Sequence, residues 1–151
     1  MSEVDAKTGS HSETYLELSQ IMQELGYGHQ YFEKSTATSA SAIFYKQDKF
    51  SVIESSQRCF SPEEPEFLMH CLFRLESNPA FKFVFSETHL QAEPAGIEQR
   101  IQQTNFIQEY YADQYQDVPV FIAGNFNEEY KNEPITGVMN SGFQDLYSLM
   151  Q

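Results

Sequence analysis

The stretch AFKFVFSETHL, residues 80 to 90, is rich in β-forming residues and decides how the rest of the chain is arranged. Phe81, Phe83 and Phe85 alternate with the period of a β-strand, and Val84 between them is apolar as well. A strand with apolar residues on both faces is typical of the interior of a sheet. The sequence therefore predicts a sheet with helices or a second sheet packed on both sides of this strand.

Neighbouring segments predict the partners of this strand. LMHCLFRLE (68–76) reads as a strand that the turn SNP joins to it. AIFYK (42–46) and DKFSVIES (48–55) predict a hairpin, because only a short turn separates them. VPVFIAG (118–124) predicts a further buried strand.

Helices are predicted between and around the strands. In TYLELSQIMQEL (14–25), Leu18, Ile21, Met22 and Leu25 fall on one helical face. Two further helices are expected at 96–112 and within 133–142, and polar loops at 35–42 and 61–67. This order of strands and helices predicts an α+β fold with helices packed on a sheet, and no domain boundary is apparent.

Charge and composition exclude several classes of function. The chain has 151 residues and a formal net charge of -13, with 22 Asp and Glu against 9 scattered Lys and Arg. Nucleic-acid affinity rests on Lys and Arg contacts to phosphates, so a nucleic-acid partner is not expected. No apolar run approaches the roughly 18 residues of a membrane span. The polar, acidic start resembles no targeting segment, which favours an intracellular rather than a secreted protein.

The two cysteines, Cys59 and Cys71, lie in apolar surroundings, QRCF and MHCLF. We expect two reduced cysteines within the core. No Cys or His spacing in the chain indicates a zinc site.

Polar side chains follow two of the predicted strands where each ends. His89 ends the strand 80–90, and Asn125 and Asn127 follow the strand 118–124. Strand exits are frequent positions for sites in sheet proteins. Taken singly, such residues are ordinary: a histidine is more often a hydrogen-bonded structural residue, and an NxN sequence is usually a turn.

Taken in order, the motifs resemble those of the endonuclease/exonuclease/phosphatase superfamily, in the branch of nocturnin, the carbon-catabolite-repressor-type deadenylases and the Angel proteins. The matching stretches are SEVD (2–5), ELGYGHQYF (24–32), SAIFYKQDKFSVIE (41–54), ETHL (87–90), Arg100 with Gln103, AGNFN (123–127) and SGFQDLYSL (141–149).

The resemblance implies part of a four-layer α/β/β/α sandwich, formed by one partial domain over residues 1–151. One sheet with its helices would be largely present and the second largely missing, since the family pattern continues beyond both ends of this sequence. The retained sheet would then expose an apolar face, which other protein subunits are expected to cover.

The resemblance also implies a site. Mg²⁺ would be held by Glu3, His89 would contact a phosphate and Asn127 would bind it. The aspartate of the family motif GDFN, which orients or deprotonates the attacking water, is Asn125 here. Hard oxygen ligands suit Mg²⁺, which neutralises phosphoryl charge.

Asn125 is the decisive departure from the family pattern. An amide has nearly the shape of a carboxylate but cannot accept a proton from water, and losing a positioned base costs on the order of 100- to 10,000-fold in rate. The sequence therefore favours a degenerate, non-catalytic protein that serves as a structural or interaction subunit, without a cofactor. Two alternatives stay open: a Mg²⁺-dependent phosphodiesterase of deadenylase or nucleotide-phosphatase type, completed by another chain, and a metal- or nucleotide-binding module without turnover.

Overall fold

The computed structural model describes residues 4–5, 13–33, 39–61, 67–93 and 96–150. The chain forms two compact units. The first unit comprises Met1–Thr88 and Val118–Gly124, and the second comprises His89–Asp117 and Asn125–Gln151. Whether residues 1–151 form one domain stays a prediction.

Seven strands and four helices make up the described part of the chain. In chain order they are β1 (Val4–Asp5), α1 (Glu13–Glu24), β2 (Tyr27–Glu33), β3 (Ser39–Lys46), β4 (Phe50–Cys59), β5 (Phe67–Leu75), β6 (Asn78–His89), α2 (Ile97–Gln114), β7 (Val120–Asn125), α3 (Glu133–Asn140) and α4 (Leu146–Leu149). The α+β class predicted from the sequence is therefore confirmed.

The strands form two sheets. One has three strands in the order β1-β3-β2, and the other has four in the order β4-β5-β6-β7. The pairs β4–β5 and β5–β6 are antiparallel. β7 runs parallel to β6, because Val84 N–H donates to Pro119 O at 2.8 Å and, further along both strands, Leu90 N–H donates to Asn125 O at 2.9 Å. β6 is thus an interior strand, as its sequence predicts.

The first unit is a sandwich of the two sheets around an apolar core. Alternate residues of β5 point into this core together with Ile43 of β3, and half-buried aromatic side chains of both sheets surround them. The buried members are Ile43, Phe67, Met69, Cys71 and Phe73. The opposite face of β5 is buried too, since Leu68 and His70 are both fully covered.

The predicted hairpin of 42–46 with 48–55 is wrong. β3 pairs with β2 instead, and β4 pairs with β5 in the other sheet. The physical reason is that both segments carry apolar residues for the same core: Tyr45 of β3 and Phe50 of β4 pack against it from opposite sheets. The short turn between the strands therefore carries the chain from one sheet to the other.

Three further expectations need correction. Residues 39–42, predicted as loop, belong to β3. In α1 the buried residue is Tyr15, at 3% exposure, whereas Ile21 and Leu25 of the predicted face are 55% and 59% exposed. β7 is an edge strand with Phe121 39% exposed, rather than a buried strand. Periodicity located these elements but did not identify the side of each that is covered.

The cysteines differ from one another. Both are free thiols, and Cys71 is buried in the core of the first unit as expected. Its burial raises the pKa of the thiol to about 12. Cys59 is exposed, because it is the last residue of the edge strand β4, so the prediction of a second core cysteine is wrong.

Candidate functional site

The turn that follows β7 is built on a glycine that no other residue could replace without movement. Gly124 has φ +150°, and a side chain there would overlap the backbone carbonyl oxygen of Thr88. Asn127 also has positive φ, at 49°, a conformation that asparagine tolerates better than most residues. The backbone of this turn is therefore defined by residue types that its conformation requires.

Asn125 holds the turn with its own side chain. Its Oδ1 accepts a hydrogen bond from the backbone N–H of Asn127 at 2.9 Å. This bond fixes the orientation of the amide, so the group left facing away from the turn is the NH₂. A carboxylate could accept the same hydrogen bond and still present a second oxygen outward, whereas an amide presents a donor.

Asn127 links the turn to the end of the neighbouring strand. Its Nδ2 donates to the carbonyl oxygen of Leu90 at 2.8 Å, and Leu90 N–H donates to Asn125 O at 2.9 Å. His89 immediately precedes Leu90 and is half-buried. Three of the predicted site residues, His89, Asn125 and Asn127, therefore lie on two adjoining segments of the second unit. The fourth, Glu3, lies outside the described residues.

A buried ion pair lies directly beyond the turn. Arg100 Nε contacts Glu128 Oε2 at 2.9 Å, and each side chain is only 6% exposed. Asn132 Nδ2 donates to Glu128 Oε1. These hydrogen bonds, first that from Asn132 and then that from Arg100, hold the pKa of the Glu128 carboxyl below its usual value against the opposing effect of burial. Glu128 is thus an ionised carboxylate with its oxygens already engaged.

Sequence reasoning missed Glu128. Arg100 and Gln103 were identified only as parts of the resemblance, yet both are buried. Gln103 Oε1 accepts from Gln91 N–H at 3.0 Å. A buried arginine requires a carboxylate or carbonyl partner. Arg100 lies on a helix face whose other residues are apolar or carry amides, and this position is a signal that such a partner exists. The signal does not identify its partner, because the two residues are 28 positions apart.

The turn presents a poor set of ligands for Mg²⁺. Asn125 Oδ1 accepts from the backbone, and the Glu128 carboxylate is engaged by Arg100 and Asn132. Asn127 directs its amide nitrogen to Leu90 O, which leaves its amide oxygen outside that bond. Mg²⁺ is bound by several hard oxygen ligands, usually including one or two carboxylates. Among the described residues no group of three or more His, Cys, Asp or Glu side chains could hold a metal ion.

Solved structures with the same arrangement of elements identify the fold. The catalytic domain of human nocturnin, with a bound sulfate anion, matches with a TM-score of 0.80 and 18% identity, over 89% of this chain and 56% of that one. An endonuclease/exonuclease/phosphatase family protein from Bacteroides thetaiotaomicron matches with a TM-score of 0.70 and 20% identity, over 85% of this chain and 52% of that one. The chain has the endonuclease/exonuclease/phosphatase fold.

A third match comes from the Angel branch. ANGEL2, a 2′,3′-cyclic phosphatase, shares this fold with a TM-score of 0.71 and 18% identity, over 82% of this chain and 38% of that one. The chain spans between 38% and 56% of the length of these three solved structures. No protein-family model matches the sequence, and no curated protein matches it significantly. The resemblance drawn from the motifs is thus confirmed at the level of the fold.

None of the described helices combines the length and the apolar character needed to cross a membrane.

Proposed function

We propose that this chain is a non-catalytic protein of the endonuclease/exonuclease/phosphatase fold, with a structural or interaction role in a larger assembly. The observation that carries the proposal is the state of Asn125, which stands where the family motif has an aspartate. Its only acceptor oxygen is bound to Asn127 N–H at 2.9 Å, so the outward-facing group is a donor. A donor can neither take a proton from water nor ligate a cation.

The buried carboxylate of Glu128 is not free to replace the missing one. Glu128 lies three residues beyond Asn125, but its oxygens accept from Arg100 and Asn132 and its side chain is buried. Freeing it would leave the Arg100 guanidinium buried without its counter-charge, which is strongly unfavourable. The turn therefore keeps its shape while it lacks the acceptor that the family chemistry uses.

The interaction role is supported by apolar side chains left on the surface of the second unit. Four of five successive residues near its end, in and beside α4, are apolar and strongly exposed: Leu146 58%, Tyr147 71%, Leu149 61% and Met150 82%. Exposed apolar clusters on soluble proteins frequently mark contacts with other proteins. The net charge of -13 continues to argue against a nucleic-acid partner.

A hydrolysis assay tests the catalytic half of the proposal. The full chain is incubated with bis(4-nitrophenyl) phosphate and with 4-nitrophenyl phosphate, in Mg²⁺ and in EDTA, beside the Asn127→Ala and His89→Ala variants. We expect the same background rate in every sample. Mg²⁺-dependent turnover by the natural chain that both variants lose would contradict the proposal.

The mass of the native particle tests the interaction half. We expect the chain to be recovered in a stoichiometric assembly whose other subunits mass spectrometry identifies. A stable particle of one chain's mass, with all its residues folded, would be incompatible with that role.

The second candidate is a Mg²⁺-dependent phosphodiesterase or phosphatase. It is favoured by the defined geometry of the turn, in which Gly124 and Asn127 have positive φ and Asn127 Nδ2 donates to Leu90 O. It is also favoured by the similar structures, which include a 2′,3′-cyclic phosphatase and a nocturnin domain with bound sulfate. For this candidate, Asn125→Asp should raise the Mg²⁺-dependent rate about 100-fold or more; an unchanged rate would leave the non-catalytic reading in place.

A further inference from the structure

The Arg100–Glu128 pair connects three segments of the second unit. Besides Glu128, the guanidinium binds the segment after β6, where Nη1 donates to Gln91 O at 3.1 Å and to Glu93 O at 2.8 Å. Arg100 itself lies in the first turn and a half of α2. One side chain therefore joins the start of this helix to the exit of one strand and, through Glu128, to the exit of the next.

Glu128 is held at the other end by equally specific contacts. Its Oε1 accepts from the backbone N–H of Glu129 at 3.1 Å and from the side-chain amide of Asn132. Asn132 is the residue that precedes α3. The carboxylate thus fixes the backbone between the Asn125 turn and the next helix.

Asn127 is adjacent to Glu128. Two connections join the strand exits, and the one made by Asn127 is direct. It reaches Leu90 O at 2.8 Å, while Glu128 reaches Arg100 and, through it, Gln91. Two neighbouring residues of one turn are therefore tied to two neighbouring residues of the other segment. Because Asn127 has positive φ, its backbone needs such external contacts to stay in place.

We propose that Arg100 and Glu128 are positioning residues that hold the Asn125–Asn127 turn in register with the end of β6. Buried ion pairs contribute little net stability, because desolvation offsets their attraction, and their best-attested use is to select one arrangement over others. The inference goes beyond the proposed function, since it concerns the geometry of the turn whether or not the turn catalyses. If this inference fails, the hydrolysis assay keeps its meaning. If the hydrolysis assay contradicts the proposed function, this inference still stands.

The test uses amide hydrogen exchange measured by NMR on the full chain. Removing one partner alone strands a buried charge and destabilises the unit, so the informative variant replaces both, as Arg100→Met with Glu128→Leu. Two apolar residues of similar size are tolerated at such pairs. The reporters are the N–H of Asn127, which is bonded to Asn125, and the N–H of Tyr111 within α2. The matched control is Glu129→Ala, which removes the adjacent, exposed carboxylate.

We expect the double variant to fold with an unchanged circular dichroism spectrum. Hydrogen exchange at Asn127 N–H should be about tenfold faster or more, because the turn loses stabilisation comparable to that of one hydrogen bond. Exchange at Tyr111 N–H should be unaffected. Glu129→Ala should change neither reporter. Unchanged exchange at Asn127, or equal acceleration at both reporters, would overturn the proposal, because the pair would then be dispensable or merely stabilising. If the double variant fails to fold, the same reporters decide between these outcomes in Arg100→Lys, which keeps a positive charge beside Glu128 but loses the directed bonds to Gln91 O and Glu93 O.

Discussion

Different kinds of interaction stabilise the interior of each compact unit. The core of the first unit is apolar and aromatic, and it includes Phe73 of β5 stacked on its cross-strand partner Phe83 of β6 at a centroid separation of 5.4 Å. The second unit buries polar groups: Arg100, Gln103 and Glu128 all have hydrogen-bond partners with defined directions. Apolar packing tolerates substitutions that keep volume, whereas a polar network fails when one member is lost.

The difference bears on the candidate site. Asn125 has nearly the shape of the aspartate in the family motif, and its hydrogen bond to Asn127 N–H needs only one oxygen. This bond can therefore form with either an amide or a carboxylate at position 125. In the apolar core of the first unit, side chains such as Phe73 contribute mainly through their shape and buried area.

The largest effect is expected at Gly124, where the backbone leaves no space for a side chain. Gly124→Ala should cost about 4 kcal/mol or more, because the new methyl meets the Thr88 carbonyl in addition to the strain of positive φ. Gly142→Ala is the matched control: it also has positive φ, at 104°, but its added Cβ meets nothing within 4 Å. That variant should cost only about 1 to 2 kcal/mol.

Urea unfolding followed by circular dichroism measures both glycine variants. Equal costs at the two glycines would show that the close approach of Gly124 to the Thr88 carbonyl does not constrain the residue type at position 124.

The second effect sharpens the apolar side of the comparison. Phe73 is 2% exposed and Phe81 is 43% exposed, on neighbouring strands of one sheet. Phe73→Ala should lower the free energy of unfolding by about 3 to 5 kcal/mol, and Phe81→Ala by less than about 1 kcal/mol. Thermal unfolding of the two variants provides the comparison. Similar losses would mean that packing between the sheets does not dominate the first unit.

The smallest effect concerns a buried polar group inside the apolar unit. His70 lies in register with Ser56 of β4 and Ser86 of β6. Burial lowers the pKa of its imidazole; Glu54 raises it and Arg58 lowers it by smaller amounts. Above about pH 6.5 the side chain is neutral in both the folded and the unfolded chain, so it has no effect on stability. As pH falls below that value, the unfolded chain binds the proton before the folded chain does. The free energy of unfolding therefore decreases.

The loss of stability should therefore occur between pH 6.5 and the lowered pKa, with a slope of at most about 1.4 kcal/mol per pH unit. Urea midpoints at pH 7, 6 and 5 measure it in the natural chain. His70→Gln should remove this part of the pH dependence, while His29→Gln, at an exposed position of β2, should retain it. A natural chain with the same pH profile as His70→Gln would exclude His70 as the cause.

The comparison also separates what the sequence could predict from what it could not. Apolar patterning located β5, β6 and α2, because burial on a face repeats along a strand or helix. It did not give the correct pairing of segments 42–46 and 48–55. Two strands of a hairpin and two strands that face each other across a core show the same pattern of apolar residues. The hydrogen-bonded turn at Asn125 and Asn127 was found through a motif. Its partner Glu128 was not, because an ion pair 28 residues apart leaves no local pattern.

The central claim is that the Asn125 side chain maintains the turn through its oxygen and supplies nothing further. The most direct measurement is the exchange rate of the Asn127 backbone N–H in the natural chain, Asn125→Asp and Asn125→Ala. The natural chain and Asn125→Asp should be equally protected, because each offers an oxygen to this N–H, and Asn125→Ala should exchange about tenfold faster. Protection in Asn125→Ala equal to that of the natural chain would contradict the claim.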